Sequence, residues 1–139
     1  MRIVVTIDPR KLTPELVALL AGEYLRGVVM RNRIAIRRGE VPPLYSAGVR
    51  YEREPWAGRF EEFADCLTVY RRGWGDCDDL VAWRVAELRE LGEKAADVSI
   101  SFPYPPRRKG VVYHAMVRRA DGSLEDPSAK LGMYRRSRR

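Results

Sequence analysis

Residues 72–92 read RGWGDCDDLVAWRVAELRELG. Gly73 and Gly75 bracket Trp74, and Asp76 then precedes a run whose apolar positions recur every three to four residues. An aspartate at the entry of such a run is a helix cap, because its carboxylate accepts first-turn N–H groups that have no partner inside the helix. Gly92 ends the run where left-handed backbone commonly stops a helix. The pattern predicts a helix over about residues 77–91. Cys77, Val81, Val85 and Leu88 share one stripe of it, so the sulfur faces whatever the helix packs against.

Cys77 has two readings. It is a small apolar filler, or it is a nucleophile placed where unpaired N–H groups and the helix dipole favour a thiolate. Asp78 and Asp79 share that first turn; they suit the dipole but oppose a neighbouring thiolate, so an active thiol would need a base. The glycines before it permit close backbone approach and unusual dihedrals.

The chain holds one histidine, His114. It lies in VVYHAMV, apolar on both faces, which predicts a central strand. A lone histidine there is either a satisfied core residue or the base the thiol requires. Asp126 follows in SLEDPS. With a two-residue turn at Asp121-Gly122, Asp126 opposes Val117 and faces away from His114. With a three-residue turn, Ala120-Asp121-Gly122, it opposes Met116, Leu124 opposes Arg118, and His114 and Asp126 become diagonal neighbours on one face. A glycine in the third position favours the longer turn.

The rest of the chain is punctuated simply. RIVVTID (2–8) reads as a strand. Thr13-Pro14-Glu15 starts a helix running to the low thirties, with Leu16, Val17, Leu20, Tyr24, Leu25 and Val28 at helical spacing. GEVPPLYSAG (39–48) is loop, and a short extended piece follows at 49–52. A helix is expected near 58–70, with Phe60, Phe63, Leu67 and Tyr70 as its stripe and Cys66 close by. Strands are expected at 96–102, 110–119 and 123–127, with the basic, proline-rich FPYPPRRKG (102–110) joining the first two. Helices first and antiparallel strands after give an α+β class, helices packed on the sheet. Trp83 and Arg84 read as helix surface and core edge, and Asp78 and Asp79 as dipole partners.

At this point GWGDCDDLVAWRVAELRELGEKA, VVYHAMVRRADG and LEDPS together resemble the core of the transglutaminase-like superfamily, over about residues 65–130. The likeness rests on a Gly-x-Cys-x-[Asp/Glu] helix start, a Leu-x-x-Leu-Gly helix end, a Tyr-His strand and an Asp-Pro after a hairpin. It is to the small members encoded by bacteriophages and prophages, which the upstream PPLYSAGVRYERE also resembles. The resemblance implies a papain-like fold with a Cys-His-Asp triad: Cys77 as nucleophile, His114 as general base and then acid, Asp126 as the orienting carboxylate. The Cys77 backbone N–H would be one oxyanion donor, and Trp74 and Tyr51 are candidates for a second. Asp78 stands where the animal crosslinking members carry tryptophan, which favours hydrolysis of peptide or isopeptide bonds over glutamine–lysine crosslinking. The expected partner is a protein or peptide substrate. The alternative is a phage virion structural or assembly protein that uses the fold as an interaction module.

Composition sets the outer bounds. The 139 residues are 45% apolar and 32% charged, enough for one globular domain over 1–134. No apolar run approaches the roughly 20 residues of a membrane span, and the start reads as a strand and not a signal peptide. The expected location is the host cytoplasm or the virion, which disfavours a Cys66–Cys77 disulfide. The net charge is +7, and the basic tail 135–139 supplies four of those charges. Such a tail can meet phosphates, but no aromatic–basic stacking pattern accompanies it, so nucleic acid is not the favoured partner. Paired zinc-ligand spacings and a phosphate-binding loop are absent, so neither metal nor cofactor is expected.

Overall fold

The computed structural model describes residues 4–5, 13–54, 61–103 and 112–135. The flanks of the first predicted strand, Phe60, most of the FPYPPRRKG connection and the tail beyond Arg135 lie outside them. In chain order the elements are β1 (Val4–Val5), α1 (Pro14–Arg37), a 3₁₀ turn (Leu44–Ser46), β2 (Arg50–Tyr51) and β3 (Glu61–Glu62). Then come α2 (Cys66–Arg72), β4 (Trp74–Gly75), α3 (Cys77–Glu90), β5 (Asp97–Ser101), β6 (His114–Arg118), β7 (Leu124–Glu125) and α4 (Pro127–Lys130). The α+β class holds: an antiparallel sheet in the order β5-β6-β7 lies against helices.

α3 forms as its sequence predicts. Asp76 accepts the Asp79 N–H, and the Asp79 side chain accepts the Asp76 N–H in return, closing a capping box. Gly92, at φ +101°, turns the chain away after Leu91. The helix runs through the middle of the molecule and separates two cores. On one side Val81, Val85 and Leu88 pack with Leu25 and Val29 of α1, Val98 of β5, and Ala115 and Val117 of β6. On the other, Leu80 and Trp83 pack with Leu44, Val49, Cys66 and Val69. Trp83 is therefore fully buried and not at a surface edge. Enclosure on both sides buries the one face that an amphipathic reading leaves to solvent.

The second predicted helix is shorter than expected. Residues 61–62 pair with β1 as strand, and the helix begins only at Cys66. Asp65 is the reason: its side chain caps the helix by accepting the Thr68 N–H at 2.9 Å. The Ala64 N–H, which a continuing helix would bond to its own carbonyls, donates instead to Asp79 Oδ1 at 2.8 Å. Phe63 leaves the predicted stripe and stacks on Tyr24 of α1 at 5.6 Å. Tyr70 is 42% exposed and meets Trp83 edge-on.

β6 is the central strand, as the apolar VVYHAMV run requires. The following turn takes the three-residue form: Gly122 has φ +86°, Arg119 N–H donates to the Ser123 carbonyl at 2.8 Å, and Leu124 opposes Arg118. β7 then stops earlier than predicted, because Asp126 caps the short α4 through its bond from the Ala129 N–H.

Candidate active site

The turn register brings His114 and Asp126 together. Their Nε2 and Oδ2 atoms lie 2.9 Å apart, with side chains 12% and 20% exposed. Asp126 thus divides its two oxygens, Oδ1 toward the Ala129 N–H that starts α4 and Oδ2 toward the imidazole. Its neighbour Glu125 fixes the direction of the strand end. Glu125 accepts from Arg84 Nε at 2.7 Å, Tyr45 Oη at 2.6 Å and Arg119 Nη1 at 2.8 Å. Burial alone would raise its pKa, but the bonds from Arg84 and Tyr45 hold it down at about 2. Successive strand residues face opposite ways, so clamping Glu125 on the helix side turns Asp126 to the His114 side.

Cys77 sits at the first position of α3 and packs against the core it shares with Val81 and Val85. The Ala115 backbone, one residue from His114, is the neighbour that favours its thiolate. The Arg119 N–H points toward β7, and N–H groups two apart on a strand point the same way. The Ala115 N–H therefore points to the edge where β7 has already ended. Imidazole and carboxylate meet at the start of β6, and Cys77 packs against the core to which the next strand residue, Ala115, belongs. Among the described residues no hydrogen bond joins the Cys77 sulfur to the imidazole. Both cysteines are free thiols.

The electrostatics around the sulfur are adverse on their own. Burial, then the carboxylates of Asp78 and Asp76, push the thiol well above its ordinary pKa, and the Ala115 backbone opposes them. Asp78 and Asp79 lie in the first turn of α3, where they suit the helix dipole, and each is 1% exposed. With Glu54 and Asp76 they form a cluster whose carboxylate oxygens lie within 4.8 Å of one another, and these are the residues that could hold a cation. Arg72 pairs with Asp79 at 2.9 Å, and Tyr113 Oη donates to Asp78 at 2.7 Å. The second bond ties the residue before His114 directly to the residue after Cys77. Burial first, then repulsion from neighbouring carboxylates, raises the pKa of Asp76 and of Asp79. Cys66 is a different kind of thiol, 1% exposed and pushed up by burial to about 12.

The two further oxyanion candidates differ in placement. Tyr51 pairs with Gly75 across β2 and β4, and the Cys77 and Asp76 charges act on its phenol. Burial first, then those charges, lifts it to about 12, so it keeps its proton as a donor at neutral pH. The Trp74 ring carries the Arg72 guanidinium 3.7 Å from its centroid, which is a packing role. A cavity of about 750 Å³ between α1, β3 and α2 is lined by Tyr24, Arg31, Phe63, Asp65 and Arg71 among others, and by no cysteine or histidine.

The sequence alone does not reveal the Ala115 N–H, the clamp on Glu125 or Glu54, because each depends on elements far apart along the chain. No described helix is long and apolar enough to cross a membrane. No family model, no curated protein and no solved structure matches the chain.

Proposed function

We propose that this chain is a cysteine-dependent enzyme of the transglutaminase-like, papain-like kind, hydrolysing or transferring the acyl group of amide bonds in a protein or a peptidoglycan-type peptide. One observation carries the reading: His114 Nε2 is taken by Asp126, and Cys77 packs against the core that includes the next residue, Ala115. That leaves Nδ1 as the nitrogen available to a thiol. In the reaction Nδ1 accepts the Sγ proton and the sulfur attacks the amide carbonyl. The imidazolium, oriented and stabilised by Asp126, then protonates the leaving amine as the C–N bond breaks. Water, or a second amine, attacks the thioester with the imidazole again as base, and the thiol is restored. The first-turn N–H of Cys77 and the Tyr51 hydroxyl are suited to the oxyanion; Trp74 is less so.

The second reading, a virion structural or assembly protein, is favoured by a specific feature. The Cys77 thiol is raised by its acidic neighbours, which suits an inert cysteine. Labelling with a peptide-amide, cysteine-directed warhead separates the two. The enzymatic reading expects an adduct on Cys77, slowed by about 100-fold or more in His114→Ala. Equal labelling of both proteins refutes it and leaves the structural role.

A further inference from the structure

His114 stands at the last rung of its sheet. β5 and β6 pair from Asp97 with Arg118 through Ser101 with His114, and β7 pairs only with Val117 and Arg118. The ladder therefore ends at the histidine on one side and stops short of it on the other, where Asp126 Oδ2 meets the ring at 2.9 Å. Strand ends open more readily than strand middles, so a base at such an end needs a further hold.

The next residue outward, Tyr113, supplies one. Its ring packs against the core shared by α3 and β6, as Cys77 does. Its hydroxyl donates to Asp78 Oδ2 at 2.7 Å, across 35 positions of sequence. Asp78 is 1% exposed and lies in the first turn of α3, whose backbone is fixed by the capping box of Asp76 and Asp79. The bond thus runs from a rigid helix start to a strand end, and it joins the residue after Cys77 to the residue before His114. A carboxylate at position 78 works against a neighbouring thiolate; as the anchor of Tyr113 it has a use that offsets this. A hydrogen bond to a charged group shifts an equilibrium about ten- to hundredfold.

We infer that Tyr113 is a positioning residue for the proposed reaction: its hydroxyl, bonded to Asp78, holds the start of β6 against the first turn of α3 and so sets where the His114 ring stands relative to Cys77. The inference rests on the enzymatic reading above. A phenylalanine ring fills the same space against the core, so the hydroxyl alone makes the tie.

The test is the rate of Cys77 alkylation by iodoacetamide, followed from about pH 5 to about pH 8. Tyr113→Phe is expected to react about tenfold or more slowly than wild type at about pH 6. Its rate should climb with pH as a lone thiol's does, where a thiolate–imidazolium pair keeps the wild type flat; a loss of stability alone moves Tm and not that profile. Asp78→Asn keeps the tie, because a phenol hydroxyl both donates and accepts, and it removes the opposing charge, so it is expected to be no slower than wild type. Asp78→Ala removes the same charge and cuts the tie, and is expected to be about tenfold slower than Asp78→Asn. Tyr113→Phe matching the wild type in rate and profile, or Asp78→Ala matching Asp78→Asn, overturns the inference and leaves the enzymatic reading standing. Wild-type Cys77 as slow as Cys66 overturns that reading and this inference with it. If Tyr113→Phe does not fold, the comparison of the two position-78 variants decides alone.

Discussion

Asp126→Asn is the substitution that isolates the carboxylate's charge from its structural duties. Asparagine caps a helix about as well as aspartate, so the Ala129 N–H bond at 3.2 Å and the start of α4 are retained. Its single oxygen is used there, so its NH2 group faces His114 Nε2 and an imidazolium N–H at that nitrogen has no acceptor. What disappears is the carboxylate oxygen 2.9 Å from a mostly buried ring. A hydrogen bond to a charged group contributes about 1.5–3 kcal/mol, and the imidazolium loses that bond. At about 1.4 kcal/mol per decade, the thiolate–imidazolium population falls roughly ten- to hundredfold. The assay is iodoacetamide alkylation at about pH 6, where an ordinary thiol of pKa about 8.5 is almost wholly protonated, followed by peptide mass spectrometry. Cys66 serves as the internal reference, because its burial and its pKa near 12 keep it silent. Wild-type Cys77 is expected to react far faster than Cys66, and Asp126→Asn roughly ten- to hundredfold more slowly than wild type, with Tm within a degree or two. Cys77 rates equal in the two proteins, with the fold intact, refute the coupling of thiol, imidazole and carboxylate.

Three other outcomes follow from the packing. Gly75→Ala places a methyl 3.2 Å from Asp79 Cβ and Val69 Cγ1 and 3.3 Å from Leu80 Cδ2; overpacking is expected to cost about 1–3 kcal/mol in urea unfolding. Trp83→Ala, at a fully buried site between the α3 and α2 cores, is expected to cost about 3–5 kcal/mol by the same measurement. Stability against pH, read as Tm, should peak near about pH 5. Asp76 and Asp79 have raised folded pKa values, so their contribution is present below about pH 4 and is lost as the pH climbs through those values. Glu125, held at about 2, contributes above the ordinary carboxylate range and loses its share as the pH falls toward that value. Glu54→Gln removes one charge from the cluster and should flatten the alkaline limb; an unchanged limb contradicts the clustering.

What was legible in the sequence was local. The Asp76 cap, the Gly92 stop and the glycine-dictated turn at Gly122 each depend on a few adjacent residues, and each stands in the structure. From the turn followed the pairing of Leu124 with Arg118, and from that the meeting of His114 and Asp126. What escaped depended on distant partners. Asp78 and Asp79 are legible as first-turn acids, but their burial against Tyr113, Arg72 and the Ala64 N–H is not. Trp83 and Arg84 look peripheral until the 3₁₀ turn and β7 cover that side of α3. The beginning of α2 was misplaced because a stripe of aromatic residues outweighed Asp65, whose cap decided the matter.

The hairpin tip between β6 and β7 behaves like a gear with one tooth. Because Glu125 and Asp126 sit on opposite sides of the ribbon, inserting or deleting a single residue at positions 120–122 would present the longer acid to the imidazole and deliver the shorter one to the arginines. Tip length is thus a harder constraint than tip chemistry, apart from the achiral residue at 122. Evolution or design could vary Ala120 while holding the count and the Asp121 carboxylate that accepts from Ser123, and a library of tip lengths would alternate between wired and unwired histidines with a period of two.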